Sequence, residues 1–369
     1  MTLKSRKVVF LTNLPAPYRF PIWDRMAGSI KLKVFFLLKK SNWRKWTAPA
    51  NVTWEYEFLG FRSFRFDEYE IVPHFWGIKR VLRDADAVII GSWEIPFYMR
   101  AIYFSKKSDI PIIQIYESTE KSQRFKSGFL ARFRALLIKK AQIVVTFGSD
   151  STQAVLNMGV SKEVILELFN PVDVSWFHEY SVKNRVQETP GHKYLYVGQL
   201  IERKNLYNII DAFKIVSEQH DTLTVVGEGR LLEKLQEYVK HNSLHDKVFF
   251  SGSKNAYDLA SIYSRSNTLI LASFNEVWGL VVNEALACGM HVVVSKNTGV
   301  SEFVSGMPGV FISETDAISI SVKMKESKSD WKGFLTQHSI LDYTPERFAD
   351  ELLERMFERI FKLEEPNSQ

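Results

Sequence analysis

Two glutamates, Glu276 and Glu284, stand in "FNEVWGLVVNEALACGM" among residues that otherwise read as buried core. The segment follows the apolar run "NTLILAS" and starts a helix near Gly279 and Leu280. That places a helix N-terminus at the carboxyl end of a strand, where open α/β sheets take ligands. Free amides there attract anions: Gly279 lets a phosphate approach the backbone, and Leu280 and Val281 offer N–H donors. Glu284 lies one turn deeper, roughly 6–7 Å along the axis. A carboxylate at that depth suits the two hydroxyls of a ribose whose phosphates rest on the helix end. Glu276, on the loop, would face the far side of a diphosphate. The competing reading is a surface acid plus a helix-start acid stabilised by the helix dipole, which explains each glutamate separately.

A second stretch, "YVGQLIERKNLYNIIDAF", ends a strand at Gly198 and sets Arg203 and Lys204 in the loop before a helix. Cations at a strand's carboxyl edge suit a diphosphate leaving group, although exposed bases before a helix are common. "VVGEGRLLEKL" is too short a match for a dinucleotide fingerprint and reads as a tight connection. Asp84 and Asp86 in "RDADAVII" precede a strand rather than follow one. They read as a turn, and with cations and a helix end available the site requires no metal.

These residues need strands to carry them. Short β-branched and aromatic runs alternate with segments of helical period, the pattern of βαβ units. The first half offers "KVVFLT", "LKVFFLL", "DAVIIG", "IPIIQIY" and "QIVVTF"; the second offers "YLYVG", "TLTVVG", "KVFFSG", "NTLILAS" and "HVVVS". Two doubly wound α/β domains are expected, at 1–172 and 173–345, with the boundary inside the turn-rich stretch 169–193. The last segment, 346–369, predicts an amphipathic helix that either ends the second domain or packs back on the first.

With 369 residues the chain is long for one core, which supports the two-domain division. The single cysteine, Cys288, excludes an intramolecular disulfide, and the start lacks the apolar run of a signal peptide, so the cytosol is expected. Charge is uneven. Through residue 170 there are 27 Lys+Arg and 15 Asp+Glu, a balance of +12, and the rest carries 21 and 27, a balance of −6. The basic half is expected to face something anionic. Residues 121–140 concentrate that charge, with seven bases and no acid interleaved with Phe, Leu and Ile. Such a helix either lies on an anionic membrane surface or packs its apolar face on the sheet. No nucleic-acid recognition motif is present.

Taken together, "SFNEVWGLVVNEALACG", "YVGQLIERKN", "VVGEG", "FFSG" and "NPVD" resemble, in order, the family 4 retaining glycosyltransferases of GT-B fold. "TNLPAPYR" is similar to a subgroup that builds bacterial surface polysaccharides. The resemblance implies two Rossmann-like domains facing across a cleft, with a nucleotide-sugar donor, UDP-linked in this reading, on the C-terminal domain. The acceptor, a glycan or lipid-linked glycan, would sit mainly on the N-terminal one. By motif, Glu284 would bind ribose, Glu276 the donor sugar, Gly279 and Leu280 the diphosphate, and Lys204 would neutralise it. Gly198 joins the donor contacts, and Gly252 and Lys254 would lie near the base. No cofactor beyond the donor is implied, and the enzyme would work at the inner face of the cell membrane. The chain departs from the pattern where Gln199 replaces a usual Arg, so that phosphate contact is either missing or supplied by Arg203. Pro15, Ala16 and Pro17 replace a glycine pair, and in "QIYESTE" the family's usual His is absent, with Glu117 offered in its place. Two alternatives share the architecture, a sugar-nucleotide epimerase and a catalytically silent binding homologue.

Overall fold

A computed structural model gives the structure of residues 3–39, 46, 50–66, 69–72, 76–123, 125–185 and 190–361. The chain divides into two units, unit 1 of Met1–Phe169 with Pro345–Gln369, and unit 2 of Asn170–Thr344.

Unit 1 is built on a seven-stranded parallel sheet. Its strands are β1 (Lys7–Thr12), β2 (Lys31–Phe36), β3 (Glu55–Phe58), β6 (Ala87–Ile90), β7 (Ile112–Tyr116), β8 (Ile143–Phe147) and β9 (Ile165–Leu168), in the order β3-β2-β1-β6-β7-β8-β9. A small antiparallel pair, β4 (Phe64–Phe66) and β5 (Tyr69–Ile71), stands apart from it. Helices cover both faces, so central strands such as β8 are buried along their whole length and read as unbroken apolar runs. One face packs Val9, Leu11, Val88, Ile90 and Val144 against helices that include Ile102 and Ile138. The other holds an aromatic cluster around Trp23, with ring centroids 5.3 Å from Phe10 and 5.0 Å from Trp54.

Unit 2 repeats the plan with six parallel strands. They are β10 (Lys193–Val197), β11 (Thr222–Val226), β12 (Val248–Phe250), β13 (Thr268–Leu271), β14 (His291–Ser295) and β15 (Val310–Ser313), in the order β12-β11-β10-β13-β14-β15. The strand order reverses between β1 and β6 in unit 1 and between β10 and β13 in unit 2, the position at which such sheets bind ligands.

The helix Pro345–Met356, followed by a wider turn over Phe357–Phe361, is part of unit 1. Its Asp350 accepts two hydrogen bonds from Arg25, at 2.7 and 3.0 Å, and Phe348 stacks on Phe147. Residues 362–369 lie outside the described set. Asp84, at a φ of 58°, and Asp86 form the turn into β6, where Asp86 accepts from the Lys7 amide at 2.7 Å and pairs with Arg6.

Candidate functional site

The loops after β10 and β13 flank the unit 2 switch point and are sewn together. Asn205 has a left-handed backbone, φ 63°, and its buried amide donates to Ala272 O at 2.8 Å and Thr315 O at 2.6 Å. The Phe274 amide donates to Arg203 O. This stitching brings the short turn Glu202–Lys204 up to the loop that carries Glu276, 72 residues later. Lys204 Nζ donates directly to Glu276 Oε2, and Arg203 Nη1 reaches the same oxygen at 3.2 Å and Asn275 O at 3.3 Å.

Lys204 and Glu276 are both nearly enclosed, whereas Arg203 is about half exposed. Burial pushes the Lys204 ammonium below its ordinary value, against the opposing pull of Glu276. Two cations against one carboxylate leave an excess positive charge in a partly dry setting, which suits an anion of higher charge than a carboxylate. The Glu276 backbone is fixed in turn: its amide donates to Asn297 O, and its carbonyl accepts from Gly299. Gly299 has to be glycine, because a Cβ there would lie 2.0 Å from Val277 O.

Gly279 caps the helix Leu280–Ala287 at φ 101°, with Leu271 and Thr298 packed where a side chain would go. Leu280 and Val281 begin that helix and are partly exposed. One turn further, Glu284 accepts a hydrogen bond at 2.7 Å from the Tyr263 hydroxyl, which holds one of its two oxygens. Burial raises the Glu284 carboxyl to about 7 in spite of that bond. A second set of ligands for its other oxygen would relieve the burial cost of the charged form.

The glycines of "VVGEG" are required by backbone contact. A Cβ on Gly227 would lie 1.8 Å from Gly198 O, and one on Gly229 would lie 2.3 Å from Leu200 O. The Gly227 amide donates to Gly252 O, so Gly198, Gly227 and Gly252 line up along the ends of β10, β11 and β12. Lys254 lies just beyond, exposed. Gln199 is exposed too, with its carbonyl bonded to the Tyr196 hydroxyl.

All the unit 2 residues singled out from the sequence therefore fall along one sheet edge. Glu117 is in unit 1, just past β7, and its carboxylate is ion-paired with Arg19. Sequence reasoning missed Asn205, Tyr263, Gly299 and Arg19. Asn205 and Gly299 carried local signals, an Asn after "ERK" and an Asn-Thr-Gly turn, and Arg19 closes the motif "TNLPAPYR"; Tyr263 had none. Among the described residues no group of three or more His, Cys, Asp or Glu could hold a metal ion.

The basic run differs from its expectation as well. The helix covers only Gly128–Ile138, and Arg134 turns inward with Leu137 and Ile138, its partners at helical spacing. Arg134 is thus a core residue, not a surface charge. The outward side shows Phe129, Leu130 and Leu136, with Phe129 80% exposed, beside Lys126, Arg132, Lys139 and Lys140.

Comparison with solved structures identifies the fold. The structure is similar to the apo lipopolysaccharide outer core galactosyltransferase WaaB, with a TM-score of 0.71 and 15% identity over 97% of this chain and 100% of that one. It is also similar to HepE of Anabaena, solved with UDP and glucose, with a TM-score of 0.68 and 15% identity over 97% and 100%. The fold is GT-B, two Rossmann-like domains on parallel sheets.

Residues 179–341, within unit 2, match the family described as glycosyl transferases group 1. An uncharacterized glycosyltransferase of Methanocaldococcus jannaschii is 27% identical over 176 residues, 46% of this chain and 45% of that protein. An O-antigen chain mannosyltransferase of Salmonella typhimurium is 29% identical over 169 residues, 44% and 45%. Glycogen synthase of Mycobacterium tuberculosis is 24% identical over 240 residues, 62% and 57%. The matches span about half the length of these curated relatives.

Proposed function

We propose that the protein is a retaining glycosyltransferase that moves a sugar from a nucleoside diphosphate, UDP in this reading, to a hydroxyl of a glycan or lipid-linked glycan in surface polysaccharide synthesis. The observation that carries it is the meeting of Lys204, Arg203, Glu276, Glu284 and the Gly279 helix end at one switch point. Glu284 accepts the ribose hydroxyls, the Leu280 and Val281 amides and the two cations hold the diphosphate, and Glu276 turns to the sugar. HepE, with UDP and glucose bound on a similar fold, supports the choice of donor.

In the transfer, the acceptor oxygen bonds to the anomeric carbon as the bond from that carbon to the diphosphate oxygen breaks. The acceptor proton passes to the departing diphosphate on the same face. Charge builds on the diphosphate as the bond breaks, so a preorganised cation there stabilises the transition state more than the bound donor. Incubation with UDP-sugars and membrane lipid extract tests the reading. Nucleotide release that depends on acceptor supports it; an isomerised sugar without acceptor marks an epimerase, and binding without turnover marks a silent homologue.

The exposed Phe129, Leu130 and Leu136 beside Lys126, Arg132, Lys139 and Lys140 favour a second element of this reading, docking on an anionic membrane surface. Apolar side chains enter the interface while bases meet lipid phosphates, which suits a lipid-linked acceptor. Among the described residues no helix is long and apolar enough to cross a membrane.

A further inference from the structure

The carboxyl edge of the unit 1 sheet carries charge that the donor site does not use. Arg19, in the turn after β1, extends its side chain to Glu117, just past β7, although β6 lies between those strands. The pair is unequal: the Arg19 side chain is 12% exposed and that of Glu117 37%. Tyr18 lies under the guanidinium, 5.8 Å from ring centroid to Cζ, and the buried Tyr98 hydroxyl donates to Asn13 Oδ1 at 2.5 Å beside it. The cation is fixed by packing, and the carboxylate that covers it is the solvent-facing, replaceable member.

A second guanidinium is buried at the same edge. Arg134 donates to Gln123 at 2.5 Å, lies 5.6 Å over the Trp93 ring, and leaves its Nε without a hydrogen-bond partner among the described residues. Trp93 follows β6 and Gln123 follows β7. The Tyr116 hydroxyl, at the end of β7, lies beside Gln123, Ser118 and Arg134 at the same edge. A strand edge at a switch point that buries two guanidinia, in a half of the chain with a charge balance of +12, is built to receive negative charge.

We propose that Arg19 is the core of an anion site in unit 1 that takes a phosphate ester or diphosphate group of the acceptor, and that Glu117 fills the site until that group arrives. A guanidinium has five donors in a planar fork that matches two phosphate oxygens, and one carboxylate and one tyrosine hydroxyl do not use all of them. Glu117 is then a counterion that lowers affinity for free anions and favours a ligand able to displace it. The link to the acceptor rests on the transferase reading above; the anion site does not.

The test titrates inorganic pyrophosphate into the full-length protein already saturated with UDP, which occupies unit 2. Wild type is expected to bind pyrophosphate under these conditions. Arg19→Gln should weaken that binding about tenfold or more, Arg19→Lys should recover part of it, and Glu117→Gln should tighten it several-fold. If UDP does not bind, pyrophosphate should occupy one site more in wild type than in Arg19→Gln, and equal stoichiometry overturns the proposal. Equal affinity in wild type and Arg19→Gln, with matching melting curves, overturns the proposal and leaves a structural ion pair. So does pyrophosphate binding that UDP abolishes. A short prenyl diphosphate that binds more tightly than pyrophosphate supports a lipid-linked acceptor as the source, and equal affinities overturn that part. Pyrophosphate binding without sugar transfer would sink the transferase reading while the anion site stands.

Discussion

The carboxyl edges of the two sheets are built on different plans. In unit 2 the edge is made of backbone: glycines at Gly198, Gly227, Gly279 and Gly299 let loops touch, and a helix end supplies donors. Its charged groups come from two compact stretches, around Lys204 and around Glu276. In unit 1 the corresponding turn after β1 holds Pro15, Ala16 and Pro17, and the edge is made of side chains instead. Its ion pair joins residues 98 positions apart. An edge lined by backbone amides fits a diphosphate group whatever sugar it carries. An edge lined by side chains can be retuned one residue at a time.

Predictions can break that contrast. The largest effect is expected from Lys204→Ala, which should lower turnover roughly 10²-fold or more, because the buried cation meets charge that grows in the transition state. Single-turnover rates at saturating donor would show it, and full activity would remove Lys204 from the chemistry. Arg203→Ala should also be costly, since Gln199 brings no charge to the loop. Glu276→Gln should slow turnover without weakening UDP binding, because its carboxylate competes with the diphosphate for both cations. Calorimetry with UDP checks the second half of that statement.

The proposed docking face offers a sharper test because the structure separates neighbours on one helix. Lys126, Arg132 and Lys140 changed together to Gln should reduce partitioning onto anionic vesicles roughly 10²-fold at low salt, at about 1 kcal/mol per base. Raised salt should act in the same direction. Arg134→Gln should instead lower the melting temperature and leave partitioning largely alone, since Arg134 is buried over Trp93. Equal vesicle binding by the triple variant would leave the face as ordinary exposed surface.

Most of the fold could be read in the sequence because central parallel strands are apolar throughout. What escaped were the three-residue pair β4 and β5 and the edge strands β3, β9 and β15, each four residues long, where "EYEF", "ILEL" and "VFIS" lack a continuous apolar run. The unit 2 edge could be read for a related reason: its residues are local, so one motif brings Gly279, Leu280 and Glu284 together through helical geometry alone. Tyr263 could not be found that way, since its bond to Glu284 crosses from another helix. Arg19 and Glu117 meet only through the strand order. The inward turn of Arg134 shows the limit of counting charges along a helix without knowing its face.

The central claim is that Glu284 binds the nucleotide's ribose as a carboxylate. Burial raises its carboxyl to about 7, so the charged form appears as pH rises through that value. The same shift makes ionisation of Glu284 cost stability in the free protein, with stability full at low pH and lost as pH rises from the ordinary carboxyl range to about 7. A bound diol offsets that cost. The direct measurement is calorimetry with a UDP-sugar, whose phosphates keep a fixed charge, from about pH 6 to about pH 8. Wild-type affinity should rise across this range, while Glu284→Gln should bind about 1–3 kcal/mol more weakly at the upper end and show a flat profile. Equal affinity and an unchanged pH profile in the variant would contradict the account.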